Sequence, residues 1–221
     1  MTKTAAPMTS GSIWKQMTFF AMPIFLGNLF QQLYNTVDSL IVGNFLGSSA
    51  LAAVSSSGSL IFMLIGFLSG ISAGAGVIVA RFFGAGDEKN LQRAVHTTVA
   101  FGLVAGVLMT GVGVALSPQI LRWMDTPESV MRESVTYLQI YFAGSLGFVM
   151  YNVLVGILQA VGDSRHPLYY LIVSSVINLV LDLLFITGFH TGVGGAAVAT
   201  VISQICLLYT SPSPRDVEES R

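Results

Sequence analysis

Charge is scarce in this sequence. Asp, Glu, Lys and Arg make up 10% of its 221 residues, against about a quarter in a soluble domain. Cysteine is confined to Cys206, so no internal disulfide can form and the residue reads as a small packing group. The three histidines, His96, His166 and His190, have no metal-ligand spacing. No Gly-x-x-x-x-Gly-Lys-Ser/Thr word occurs, which removes the phosphate loop of ATP-driven transport. Basic clusters and aromatic-basic alternation are missing too, and the net charge is −1, so no nucleic-acid partner is expected. The segment up to Ser12 lacks an apolar core followed by a small-residue cleavage site, which argues against a removable signal peptide.

What fills the chain instead is apolar. Hydrophobic residues are 53% of it and the mean hydropathy is +0.73, which suits a bilayer. A membrane-spanning helix needs about 20 mostly apolar residues. Low-charge stretches of that length recur near 17–42, 51–80, 94–117, 135–158, 168–187 and 193–209. These predict an all-α, multi-pass membrane protein: a cytoplasmic segment over 1–16, a six-helix membrane lobe over 17–209, and a disordered, non-native tail over 210–221. Glycines at four-residue spacing, Gly66, Gly70 and Gly74 in the second span and Gly102 and Gly106 in the third, predict close helix packing.

With the N-terminus in the cytoplasm, the inner side carries Lys3, Lys15, Arg81, Lys89, Arg93 and Arg165, and the outer side Arg122 and Arg132. That asymmetry favours this orientation. Trp14 and Trp123 fall where interfacial anchors belong. The inner connections, 84–89 and 162–167, are rich in Gly, Asp and Pro and predict tight turns. The outer connection from Ser117-Pro118 to Arg132 predicts a loop with an interfacial helix starting near Thr126.

Of the eleven acidic residues, Asp38 and Asp182 alone lie inside apolar spans. A carboxylate in the membrane costs several kcal/mol unless it faces a cavity, finds a partner or takes a proton. Asn28, Gln31, Asn35 and Asp38 follow one helical face, and Ser174, Asn178 and Asp182 follow another. In the inside orientation both acids fall at similar depth, with Thr200 level with them on the sixth span and Tyr137 at the outer start of the fourth. Carboxylates, an amide oxygen and hydroxyls form a hard-oxygen set suited to sodium or a shared proton. Two carboxylates close together in a low-dielectric site cannot both stay ionised cheaply.

Four words in order carry a resemblance. They are Pro23 followed by 28–38 (Asn-Leu-Phe-Gln-Gln-Leu-Tyr-Asn-Thr-Val-Asp) with Val42-Gly43, then 156–163 (Gly-Ile-Leu-Gln-Ala-Val-Gly-Asp) with Pro167, then Asn178-Leu179-Val180-Leu181-Asp182, then 194–200 (Gly-Gly-Ala-Ala-Val-Ala-Thr). From Pro23 to Gln204 the chain resembles the multidrug and toxic compound extrusion (MATE) family. The resemblance implies two six-helix lobes around a central cavity, exporting amphipathic, often cationic compounds in exchange for sodium ions or protons. It implies a non-enzyme without a cofactor, in the cell membrane. It also implies that Asp38, Asn178, Asp182, Thr200 and Tyr137 form the amino-terminal lobe's cation or proton site, with sodium at the first four, and that Asn28, Gln31 and Asn35 line the cavity. The chain ends where a second lobe should begin, so the expectation is half a transporter, paired with the missing lobe or a second copy. The rivals are a lipid-linked precursor flippase, which would need cationic side chains that no span carries centrally, an accessory membrane subunit, and an intramembrane aspartyl protease. That last alternative rests on Ala160-Val161-Gly162-Asp163, a word in a turn away from the membrane acids.

Overall fold

The structure is a computed structural model that describes residues 12–210; the expectations for 1–11 and 211–221 lie outside that range. Seven α-helices follow one another, and no strand occurs among the described residues: α1 (Ile13–Leu46), α2 (Ser48–Ala85), α3 (Glu88–Trp123), α4 (Glu128–Ala143), α5 (Ser145–Ala160), α6 (Arg165–Leu183), a π-helical turn (Leu184–Gly188) and α7 (Val193–Thr210). The fold is all-α, as expected. Short connections turn the chain back between α1 and α2 and between α2 and α3, which pack as neighbours.

Local chemistry explains the turns. Gly86 closes α2 in the left-handed conformation, with φ 68°, which glycine adopts without steric cost. The Asp87 side chain then accepts the Asn90 N–H at 3.1 Å and opens α3. Gly162, with φ 91°, turns the chain after α5, and Asp163 Oδ1 accepts the N–H groups of Arg165 and His166, each at 3.2 Å. Pro167 follows in the first turn of α6, where its missing N–H breaks no helical bond. Both predicted inner turns are tight, as the sequence indicated.

The outer connection differs from expectation. α3 does not stop near Ser117-Pro118 but runs on to Trp123 with Pro118 inside it. The carbonyl that Pro118 leaves without an intrahelical donor is that of Val114, and Gln139 Nε2 of α4 donates to it at 3.4 Å. Nor is there a separate interfacial helix: α4 starts at Glu128 and, bent by 50° at Gly144, continues as α5. The bend lets α7 approach, since a Cβ on Gly144 would collide with Val201. The hydroxyls of Thr110 and Ser145 pair at 2.9 Å beside it.

α2, α3 and the run Arg165–Gly188 are each long and apolar enough to cross a membrane, and the bent α4–α5 pair adds a fourth when its two helices are counted as one span. α1 is long enough at 34 residues but carries the polar stripe, and the apolar part of α7 is short. Length and composition thus support four of the six expected spans.

The bundle holds together through α5 against α2 and α3, α6 against α1 and α7, and α4 against α7. Gly102 and Gly106 do sit at a close approach, under Val153 and Leu146 of α5. Gly66, Gly70 and Gly74, by contrast, meet nothing within 4 Å, so the expected packing of that face is absent among the described residues. Regular spacing marks a face without saying which partner it meets, and α2 turns another face, with Ser72 and Gly76, toward α5. The outer surface is apolar, with Phe62 76% exposed and Phe67 67%.

Candidate cation site

α1 and α6 carry the two membrane acids to one place. Asp38 is 9% exposed and Asp182 fully buried, beside a cluster of Ile41, Val42, Tyr137, Ile186 and Ala196. Their carboxyl groups lie within reach of each other, and two carboxyls that hydrogen-bond do so by sharing a proton. Oδ1 of each acid is buried and without a hydrogen-bond partner, a position open to a cation or a second proton.

Asn178 lies one turn before Asp182. With its amide oriented by its neighbours, the nitrogen donates to Asp182 Oδ2 at 3.0 Å and the oxygen accepts the Thr200 N–H of α7 at 3.3 Å. Thr200 Oγ1 donates to Ala196 O at 3.0 Å. Ser174 Oγ donates to Ser203 O at 2.8 Å, and Ser203 Oγ to Thr200 O at 2.7 Å. Side-chain bonds from Ser174 and Asn178 therefore tie α6 to α7, and Asn178 links that seam to Asp182. The π-helical turn follows Asp182 directly.

Two tyrosines complete the surroundings. Tyr137 of α4 is 5% exposed and lies within electrostatic range of both acids. Tyr34, one turn before Asp38, does the same and brings its hydroxyl to the Thr200 side chain. Sequence reasoning missed Tyr34; its i, i+4 relation to Asp38 was the available signal.

Of the residues named beforehand, Asp38, Asn178, Asp182, Thr200 and Tyr137 converge. Asn28 and Gln31 line a cavity of about 480 Å³ between α1, α2, α5, α6 and α7. Asn35 is exposed and does not line it. The cavity lies toward the Gly86 end of the lobe, lined by amides and hydroxyls that include Asn152 and Gln204, and among the described residues no charged side chain lines it. Neither aspartate lines it, but Tyr34 and Ser174 do, linking it to the acid pair. Asp163, of the protease-like word, instead caps α6 and pairs with His166 Nδ1.

The geometry has counterparts. The MatE family model matches residues 23–184. The chain is 38% identical over 198 residues to the probable multidrug resistance protein YoeA of Bacillus subtilis, covering 88% of this chain and 43% of that protein. It is 36% identical over 206 residues to the probable multidrug resistance protein YpnP of the same organism, covering 93% and 46%. A crystal structure described as MATE in the bent conformation superposes with a TM-score of 0.84 at 28% identity, covering 90% of this chain and 44% of that one. The chain thus spans somewhat under half the length of these relatives. A family model over most of the chain, these identities and a shared arrangement of helices show that it is a multi-pass membrane protein belonging to the MatE family.

Proposed function

We propose that this lobe is the ion-coupling half of an exporter that moves amphipathic, often cationic drugs out of the cell in exchange for sodium ions or protons. The observation that carries the reading is the buried Asp38–Asp182 pair, each acid with an unpaired oxygen and both flanked by the Asn178 amide and the Thr200 and Tyr34 hydroxyls. Buried acids with unmet polar atoms inside a membrane are costly unless they load and release a cation. For sodium, Asp38, Asn178, Asp182 and Thr200 supply hard oxygen ligands; for a proton, the acid pair alone suffices. The likeness to YoeA and YpnP, each a probable multidrug resistance protein, supports drugs as cargo, and the cavity, with its apolar walls and amides, suits amphipathic ones.

The working unit is two lobes. Asn28, Gln32, Asn35 and Thr36 of α1 are exposed, a polar face that lipid tails would leave unsatisfied and that a water-filled cleft against a second lobe, or against a second copy, would satisfy. The excess of Lys and Arg on the side of the Gly86 and Gly162 turns supports a cytoplasmic N-terminus in a cell-membrane protein. The test is efflux of a fluorescent cationic dye from proteoliposomes holding the full transporter that carries this lobe, under an imposed sodium or proton gradient. Asp38→Asn keeps the shape of the carboxylate but neither exchanges a proton nor offers a charge, and should abolish gradient-driven export; retention of most of the rate would place coupling elsewhere.

A further inference from the structure

We propose that the outward face of α3, where it leaves the α2–α3 turn, carries a site for the phosphate of an anionic phospholipid, made by Lys89 and Arg93 with Arg81 of α2 beside them. Lys89 and Arg93 are one turn apart and both exposed. In helical projection Arg93 stands below the stripe of Ala100, Val104, Val107 and Gly111, on which Val104 and Val107 are each 60% exposed, with Thr97 on its flank between Arg93 and Ala100. Such a stripe on a membrane helix faces acyl chains, and a cation at its end reaches the headgroup level along its own aliphatic stem.

Arg81 lies at a matching height. It precedes Gly86 by about five residues and Arg93 follows Asp87 by about six, so both stand some 8 Å from the turn at the helical rise. α2 and α3 are packed neighbours, so the three cations stand at the same end of the lobe. No side-chain ion pair engages Arg81, Lys89 or Arg93 among the described residues. Two acids lie nearby, Asp87 and Glu88. Asp87 is engaged as the α3 cap, accepting from Asn90 N–H and, at 2.6 Å, from Asn90 Nδ2. Glu88 lies on the side of α3 that carries Val95 and Gly102 in projection, away from Arg93. Three cations outnumber the two acids of the turn, Asp87 and Glu88, and above an acyl-facing stripe they complement a phosphodiester with its own negative charge; each Lys or Arg near an anionic bilayer surface strengthens binding.

The chain, purified in detergent, would be mixed with phosphatidylglycerol or phosphatidylcholine, and lipid retention read by native mass spectrometry alongside the melting temperature. Wild type should retain phosphatidylglycerol preferentially, and Lys89→Gln with Arg93→Gln should weaken that preference by about fivefold for each cation removed. Arg93→Lys, which keeps the charge, should keep the preference, as should Arg122→Gln with Arg132→Gln at the other end of the lobe. An unchanged preference in the Lys89/Arg93 double variant, or its loss in Arg93→Lys, would overturn the proposal. Displacement of phosphatidylglycerol by millimolar inorganic phosphate would overturn the lipid as the occupant.

Discussion

Ser72 of α2 and Gly156 of α5 lie backbone against backbone: a Cβ on Gly156 would collide with the Ser72 hydroxyl and come within 3.0 Å of the Ser72 carbonyl oxygen. The same serine donates to Asn152 O at 2.6 Å, so the contact both excludes a side chain and fixes a hydrogen bond in place. Inserting atoms into a packed interior typically costs about 1–3 kcal/mol. Gly156→Val should therefore lower the melting temperature of the purified chain clearly, whereas Gly70→Ala, with open space at its Cβ, should leave it level or raise it through better helix propensity. Equal melting temperatures for the two variants would show that α2 and α5 do not meet at this point.

Tyr34 is expected to matter for export although it carries no charge. Its hydroxyl lies within electrostatic range of the acid pair, and a hydrogen bond to a charged group is worth about 1.5–3 kcal/mol. Tyr34→Phe should slow gradient-driven dye efflux by about tenfold or more, while Asn35→Ala, at an exposed position outside the cavity, should stay near wild type. Should Asn35→Ala prove the more damaging of the two, the α1 face that serves the ions is the exposed one.

A pH effect is expected at the α2–α3 turn. Hydrogen bonds from Asn90 hold the Asp87 carboxyl below the usual aspartate range. A group whose value is depressed by folding contributes stability that is full above its unfolded value, about 3.9 for aspartate, and that fades as pH falls through the folded value. Hydrogen exchange at the Asn90 amide should accelerate, relative to its intrinsic rate, as pH drops below about 4. Asp87→Asn, an equally good cap without a titrating group, should remove that step. A step of the same size in the variant would assign it to another acid.

Much of this was legible because membranes make polar residues rare. Asp38 and Asp182 stand out in apolar spans, and their helical offsets to Asn178 and Thr200 reach the observed cluster. The centre of the α1 face was read less well. At about 100° per residue, Tyr34 lies some 40° from Asp38, while Asn35 lies some 60° away on the other flank. A polarity scan favours the asparagine, but packing against α6 and α7 selects the tyrosine. Pro118 misled for a related reason. Its local effect is to end a helix, and only the Gln139 side chain, from another helix, lets α3 continue. The glycine face of α2 failed similarly, since a spacing is local and its partner is not.

The acids that meet in this lobe are far apart along the chain, with Asp38 near the start and Asp182 close to the end. At roughly 5–20 residues per second of synthesis, Asp182 leaves the ribosome about 7–30 s after Asp38. Until then the first helix is in the membrane with an acid that has neither its carboxyl partner nor Asn178 and Thr200. The coupling centre is therefore among the last features of the lobe to assemble, and a chain cut short before α6 would leave one buried charge for the insertion machinery, or for a quality-control protease, to detect.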